Sequence, residues 1–175
     1  MNKKILVTGG AGFIGGALIK RLLKEENNII YNIDKLSYKN GLTRITEFNE
    51  SNRHKHFLVD LTNKELLIDL FEQINPDAIF HLAAESHVDV SLSNPEQFIK
   101  SNVIGTFNLL EATRIYWNKI TRSKREIFKF LHISTDEVFG SLGSNGKFNE
   151  NSNYDPRSPY SASKAASDHF VNAWF

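Results

Sequence analysis

The strand-like run Lys3-Lys4-Ile5-Leu6-Val7-Thr8 passes directly into a turn with glycines spaced three apart at Gly9, Gly12 and Gly15, and a helical pattern begins inside that turn. No other stretch restricts the fold as strongly. Glycines here let the chain turn tightly and let the backbone approach a pyrophosphate held at a helix N-terminus. A glycine triplet alone also fits a plain strand-to-helix turn. Here the preceding strand and the following helix are the context that phosphate binding requires.

The remaining chain repeats this alternation. Strand-like runs lie at 28–34, 54–60, 77–83 and 127–134, and helical patterns occupy about 12–25, 41–50, 63–74, 95–117 and 159 onward. Pro95 suits a first helical turn, and Ser158 followed by Pro159 reads as a cap followed by proline at the first helical position. Parallel neighbours need crossover connections, so βαβα order predicts an α/β fold: a Rossmann-type doubly wound parallel sheet with helices on both faces.

A length of 175 residues suits one domain, and 41% hydrophobic with 23% charged residues is ordinary globular composition without a membrane-spanning apolar run. Lys plus Arg number 21 against 20 Asp plus Glu, so the net charge of +1 gives no electrostatic reason to expect nucleic acid or an anionic membrane as partner. The basic run Thr121–Arg125 reads as a solvated loop. With no cysteine, disulfides and thiolate metal sites are excluded. The apolar Ile5-Leu6-Val7 is too short for a signal-peptide core, so the expected location is cytoplasmic. The chain stops at Trp174 and Phe175 in mid-pattern, with no glycine cap or polar tail. That ending predicts a truncated domain over 1–175 whose apolar end needs a partner.

Strand two ends at Asp34, 19 residues after Gly15, where a carboxylate can accept hydrogen bonds from both ribose hydroxyls of an adenosine and would repel a 2′-phosphate. NAD is therefore expected over NADP. Asp60 closes strand three and either reaches the adenine amino group or caps the next helix. His54 and His56 share one strand face, but without a third ligand they read as surface residues, and no metal is assigned.

Tyr160 and Lys164 stand four apart on the last helix, on one face. An adjacent ammonium and a helix N-terminus favour a phenolate, which can take a proton from an alcohol giving hydride to NAD. The apolar run Phe128–Ile133 ends in Ser134, Thr135, Asp136 and Glu137. Two adjacent carboxylates are either solvated loop acids or an acid and base on neighbouring reacting atoms.

In order, TGGAGFIG (8–15), DKLSY (34–38), HLAAESHVD (81–89), SNVIGTFNLLEA (101–112), HISTDEVFG (132–140) and SPYSASKAASDH (158–169) resemble the extended short-chain dehydrogenase/reductase family, and within it the nucleotide-sugar 4,6-dehydratases. The resemblance covers essentially the whole chain. Family members continue past the Tyr–Lys helix into further strands and a smaller C-terminal domain that grips the sugar nucleotide, which would make 1–175 the NAD-binding part. It implies dTDP-glucose as substrate, with Tyr160 and Lys164 oxidising C4, Glu137 removing the C5 proton, Asp136 protonating the departing C6 hydroxyl, and hydride returning to C6. Thr135 would hold the C4 oxygen, and Ser86 would contact the sugar. Around NAD it implies Gly9, Gly12, Phe13, Ile14, Gly15, Asp34, Lys35, Ser37, Asp60, Leu61, Leu82, Ala83, Ala84 and Ser101, with Asn102 beside them.

Val90 stands where the family pattern expects arginine and Phe139 where it expects tyrosine, while Ser37 and Ser101 replace threonines. A homodimer through flanking helices, 95–117 first, is also implied. Three rivals remain. A nucleotide-sugar 4-epimerase has no use for Asp136 and Glu137, a GDP-mannose dehydratase would accommodate NADP against Asp34, and a non-catalytic NAD-binding module needs neither.

Overall fold

A computed structural model describes residues 2–37, 41–48 and 51–174. Five strands, β1 (Lys3–Thr8), β2 (Asn28–Asp34), β3 (His54–Leu58), β4 (Ala78–His81) and β5 (Lys129–His132), form one parallel sheet in the order β3-β2-β1-β4-β5. The helices are α1 (Phe13–Leu22), α2 (Gly41–Phe48), α3 (Lys64–Ile74), α4 (Val88–Ser93), α5 (Pro95–Phe98), α6 (Gly105–Lys119), α7 (Arg122–Ile127) and α8 (Pro159–Trp174). A π-helical segment, Ile99–Ile104, joins α5 to α6, and a 3-10 turn spans Asp136–Phe139.

The period-two side-chain alternation of β1 divides the core in two. Leu6 enters one cluster with Leu67, Phe71 and Leu109, under α3 and α6, whereas Ile5 and Val7 enter the other with Ile19 and Phe48, under α1 and α2. Leu6, Val7, Ile19 and Ile30 are fully enclosed, each worth about 1.5–3 kcal/mol of burial. With both faces covered, the strands can be apolar throughout, as the sequence pattern requires. α3 buries Leu67, Leu70, Phe71 and Ile74 on one stripe and starts at Asn63, whose side chain accepts from the Leu66 N–H at 3.1 Å. Ser158 Oγ likewise accepts from the Ser161 N–H at 3.0 Å, ahead of Pro159.

Several expectations are corrected. β3 stops at Leu58, because Asp60 turns back onto Thr62 through Oδ1, which accepts from its N–H and its hydroxyl, both at 2.9 Å. Asn63, not Asp60, caps α3. The basic run 121–125 is not a loop: Thr121 caps α7, and Arg125 lies 4.6 Å over the Trp117 ring. His54 is 6% exposed and set edge-on to Phe48, so it belongs to the core rather than the surface. Trp174 already has partners in this chain, the rings of Phe107 and Phe170. The 95–117 run is helical but carries the widened π turn, and α4 precedes it. Tyr38, residues 49–50 and Phe175 lie outside the described residues. Among the described residues, no helix is long and apolar enough to cross a membrane.

Candidate active site

A cleft of about 580 Å³ opens along the C-terminal ends of β1, β2 and β4, where the strand order reverses direction. Its floor is the glycine turn. Gly9 has φ +75, and a Cβ there would sit 2.6 Å from the Ala83 nitrogen. A Cβ on Gly15 would overlap the Gly9 carbonyl. The turn therefore packs backbone on backbone and leaves α1 with Gly12 at its N-cap and no side-chain cap. The first N–H groups of such a helix have no intrahelical partners, so they face the cleft as anion donors. Phe13 and Ile14 beside them are 82% and 64% exposed.

Asp34 stands at the far end of the turn. Its Oδ2 accepts from the Ala11 N–H at 3.0 Å and its Oδ1 from the Leu36 N–H at 2.7 Å, which fixes the carboxylate while leaving lone pairs for a vicinal diol. Lys35 reaches across to Ser101 Oγ at 2.7 Å and Glu85 Oε1 at 3.1 Å, with Asp60 Oδ2 at 3.8 Å. All the residues expected around NAD, Ser37, Leu61, Leu82 and Ala84 included, line this one cleft, and so does Ser86. The donors, the carboxylate and the apolar walls fit an adenine dinucleotide.

The other wall comes from β5 and α8. Lys164, 4% exposed, donates to the Ile133 carbonyl at 2.6 Å, and burial lowers its pKa to about 8. Tyr160 is 8% exposed. Burial raises its pKa, the Thr135 hydroxyl hydrogen-bonded to it works the other way, and Glu137, Asp136 and Asp168 raise it further. This corrects the expectation of a phenolate favoured by its surroundings: the neighbours that weigh on Tyr160 are acids, and the phenol is neutral. Thr135, Asp136 and Glu137 lie around Tyr160 rather than on the cleft wall, held by a 3-10 turn in which Thr135 Oγ1 accepts from the Glu137 N–H at 3.3 Å. No group of three metal-binding side chains occurs among the described residues.

Sequence reading placed Asn102 beside the cofactor but missed the bonds it makes, and it missed His81 and Asp168 as supports. Asn102 turns out of the π segment to accept from the Glu85 N–H at 2.8 Å and to donate to the Glu85 carbonyl at 2.9 Å and to Ser163 Oγ at 2.8 Å, tying the Ala83–Ser86 loop to α8. His81, fully buried, lies between Thr8 Oγ1 at 2.7 Å and Thr106 Oγ1 at 2.9 Å. Asp168 faces β5 from α8. Only Asp168 had a usable signal, its i+4 spacing from Lys164.

Known proteins share this chain's sequence pattern and fold. The dTDP-glucose 4,6-dehydratase of Neisseria meningitidis serogroup B is 49% identical over 173 residues, covering 98% of this chain and 49% of the relative. A crystal structure of dTDP-glucose 4,6-dehydratase from Bacillus anthracis in complex with NAD superposes with a TM-score of 0.82 at 35% identity, over 98% of this chain and 50% of that one. A UDP-glucuronic acid 4-epimerase from Bacillus cereus, in complex with UDP-glucuronic acid and NAD, reaches 0.85 at 30% identity, over 98% and 52%. The chain thus spans about half the length of the curated relatives it matches. The family described as GDP-mannose 4,6 dehydratase matches residues 6–175, from the first strand through the Tyr160 helix, and to that family this chain belongs.

Proposed function

We propose that this chain is the NAD-binding portion of a dTDP-glucose 4,6-dehydratase. The observation that carries the reading is the placement of Asp136 and Glu137 together beside Tyr160, at the sheet edge where ligands of such folds bind. Bound NAD supplies the acceptor for hydride from C4 and the donor of the same hydride to C6. Tyr160, a neutral phenol among its acids, has to give up its own proton to solvent before it can take that of the C4 hydroxyl as hydride leaves, and the positive charge of an oxidised nicotinamide bound in the cleft would favour that ionisation, with Thr135 fixing the C4 oxygen. The new C4 ketone acidifies C5–H. Glu137 removes that proton while Asp136 protonates the C6 hydroxyl, which departs as water. Lys164 contributes an ammonium at the cofactor edge of the same cleft. Ala83 and Ala84 would lie beneath the nicotinamide ribose with Ser101 beside the cofactor, Asp34 would hold the adenosine diol, and Ser86 would contact the sugar.

An epimerase reading is favoured by the close superposition with the Bacillus cereus enzyme, but it leaves Asp136 and Glu137 without work. A homodimer along Pro95–Lys119, where Ile99 and Ile104 are 47% and 44% exposed, and a cytoplasmic location belong to the same proposal.

The test is single-turnover mixing of dTDP-glucose with the NAD-loaded full natural chain, following nicotinamide absorbance and the 4-keto-6-deoxy product. Transient cofactor reduction followed by that product is expected. Tyr160→Phe should abolish the reduction, and Glu137→Gln should leave the cofactor reduced without loss of the C5 proton. Normal dehydration by Glu137→Gln would remove Glu137 as the base, and epimerisation at C4 without water loss would remove the dehydratase.

A further inference from the structure

Behind the cleft, one carboxylate joins its two halves. Asp168 lies on α8 one turn beyond Lys164 and two beyond Tyr160, and it is 8% exposed. Its Oδ2 accepts from Ser134 Oγ at 2.5 Å and from the Tyr154 hydroxyl at 3.1 Å. Its Oδ1 lies 3.1 Å from His132 Nε2, and that same nitrogen lies 3.4 Å from Lys164 Nζ. Ser134 directly precedes the Thr135–Glu137 turn, and Lys164 holds the carbonyl of Ile133 one residue earlier. Asp168 thus faces the acid-bearing end of β5 and the ammonium on its own helix together.

A buried carboxylate is costly unless its lone pairs are used, and this one collects two hydroxyl donors on Oδ2 while Oδ1 stands against the His132 ring without a hydrogen bond. The arrangement has a consequence for Lys164, whose amine is buried with a carbonyl and a neutral ring nitrogen as neighbours. The nearby anion is what favours its charged form. The charged and titratable groups around this cluster are His132 and His81 on adjacent strands, Tyr154 from the connecting loop, and Tyr160, Asp136 and Glu137 at the front.

We propose that Asp168 is a positioning residue that clamps the Ser134 end of β5 to α8 and holds Lys164 as an ammonium. The proposal deepens the dehydratase reading and rests on it for its catalytic consequence, whereas the effect on Lys164 is independent of substrate.

The experiment titrates lysine side chains of the full natural chain by ¹³Cε NMR, with the Lys164 signal identified by its loss in Lys164→Arg. Its midpoint should lie near 8 in the unaltered protein and fall by roughly one unit in Asp168→Asn, since the anion is gone. Tyr154→Phe keeps the anion but removes one donor that disperses its charge, so the Lys164 midpoint should rise by a few tenths of a unit. Opposite displacements in the two variants are the expected signature. An unmoved midpoint in folded Asp168→Asn overturns the proposal. Should that variant not fold, an unmoved midpoint in Tyr154→Phe does so instead. In steady-state turnover of dTDP-glucose, Asp168→Asn should lower kcat roughly tenfold with little change in KM and carry the alkaline limb of the pH profile down with the NMR midpoint. A wild-type chain that turns over no dTDP-glucose refutes the dehydratase reading while the NMR comparison still decides the role of Asp168.

Discussion

An ammonium that is 4% exposed has given up most of its hydration, and Lys164 recovers one short bond, to the Ile133 carbonyl at 2.6 Å. Burial lowers its pKa to about 8, below the 10.5 of a free lysine. Below pH 8 both folded and unfolded chains carry this charge, so folding bears the full desolvation cost at neutral pH. The cost fades as pH rises from 8 towards 10.5, where the folded lysine is already neutral. Lys164→Met removes the cost and loses both the carbonyl bond and the attraction to Asp168. We expect a net gain of about 1 kcal/mol at pH 7, or a Tm higher by roughly 2–4 °C, together with loss of cofactor reduction. The gain should shrink between pH 8 and 10. Thermal melts of both proteins across that range check it, and a less stable Lys164→Met at pH 7 would show that the carbonyl bond and that attraction outweigh desolvation.

The β1–turn–α1 element invites a second prediction, because its glycines are needed for space as well as for backbone angle. The added methyl of Gly15→Ala would overlap the Gly9 carbonyl, a backbone atom that cannot move aside without opening the turn that leaves α1 uncapped. NAD affinity should fall at least tenfold and stability by about 1–3 kcal/mol, checked by NAD titration and urea unfolding. Wild-type affinity in Gly15→Ala would mean that the turn is looser than its packing.

The same element was legible in sequence because spacing and local geometry coincide there, as they do for Asp34 and for the Ser158–Pro159 start of α8. Other elements were not. Thr121–Arg125 has no apolar period, since α7 buries none of its residues and is held by its cap and the Arg125–Trp117 contact. The π segment is set by tertiary demand: Asn102 must reach Glu85 and Ser163, partners 17 and 61 residues away. Spacing put Tyr160 and Lys164 on one face, but it could not show that Lys164 turns to Ile133 while acids surround the phenol.

Across the whole molecule, histidine ties stability to pH. His54, His56, His81 and His132 all have lowered pKa values, burial being the largest cause in each, and His54 drops to about 4. His54 and His132 lie on opposite edge strands and His81 on an inner one, and the rings of His81 and His132, paired in register, are 5.2 Å apart. Each is a base whose folded pKa lies below its unfolded value near 6.5, so the fold keeps it neutral. Above pH 6.5 neither state binds the proton and the stabilisation is complete. As pH falls from 6.5 towards 4, the unfolded chain is protonated first and stability is lost. For His54 alone the loss is about 2 kcal/mol by pH 5, at about 1.4 kcal/mol per pH unit. Neither ring nitrogen of His54 has a hydrogen-bond partner, and its ring meets Phe48 edge-on at 5.3 Å. His54→Phe should therefore keep the packing and remove the titration. Urea unfolding at pH 7 and pH 5 is expected to show the unaltered protein losing about 2 kcal/mol more than this variant does. Equal losses in the two proteins would mean that the acid sensitivity does not come from His54 but from His56 or from the His81–His132 pair inside the site.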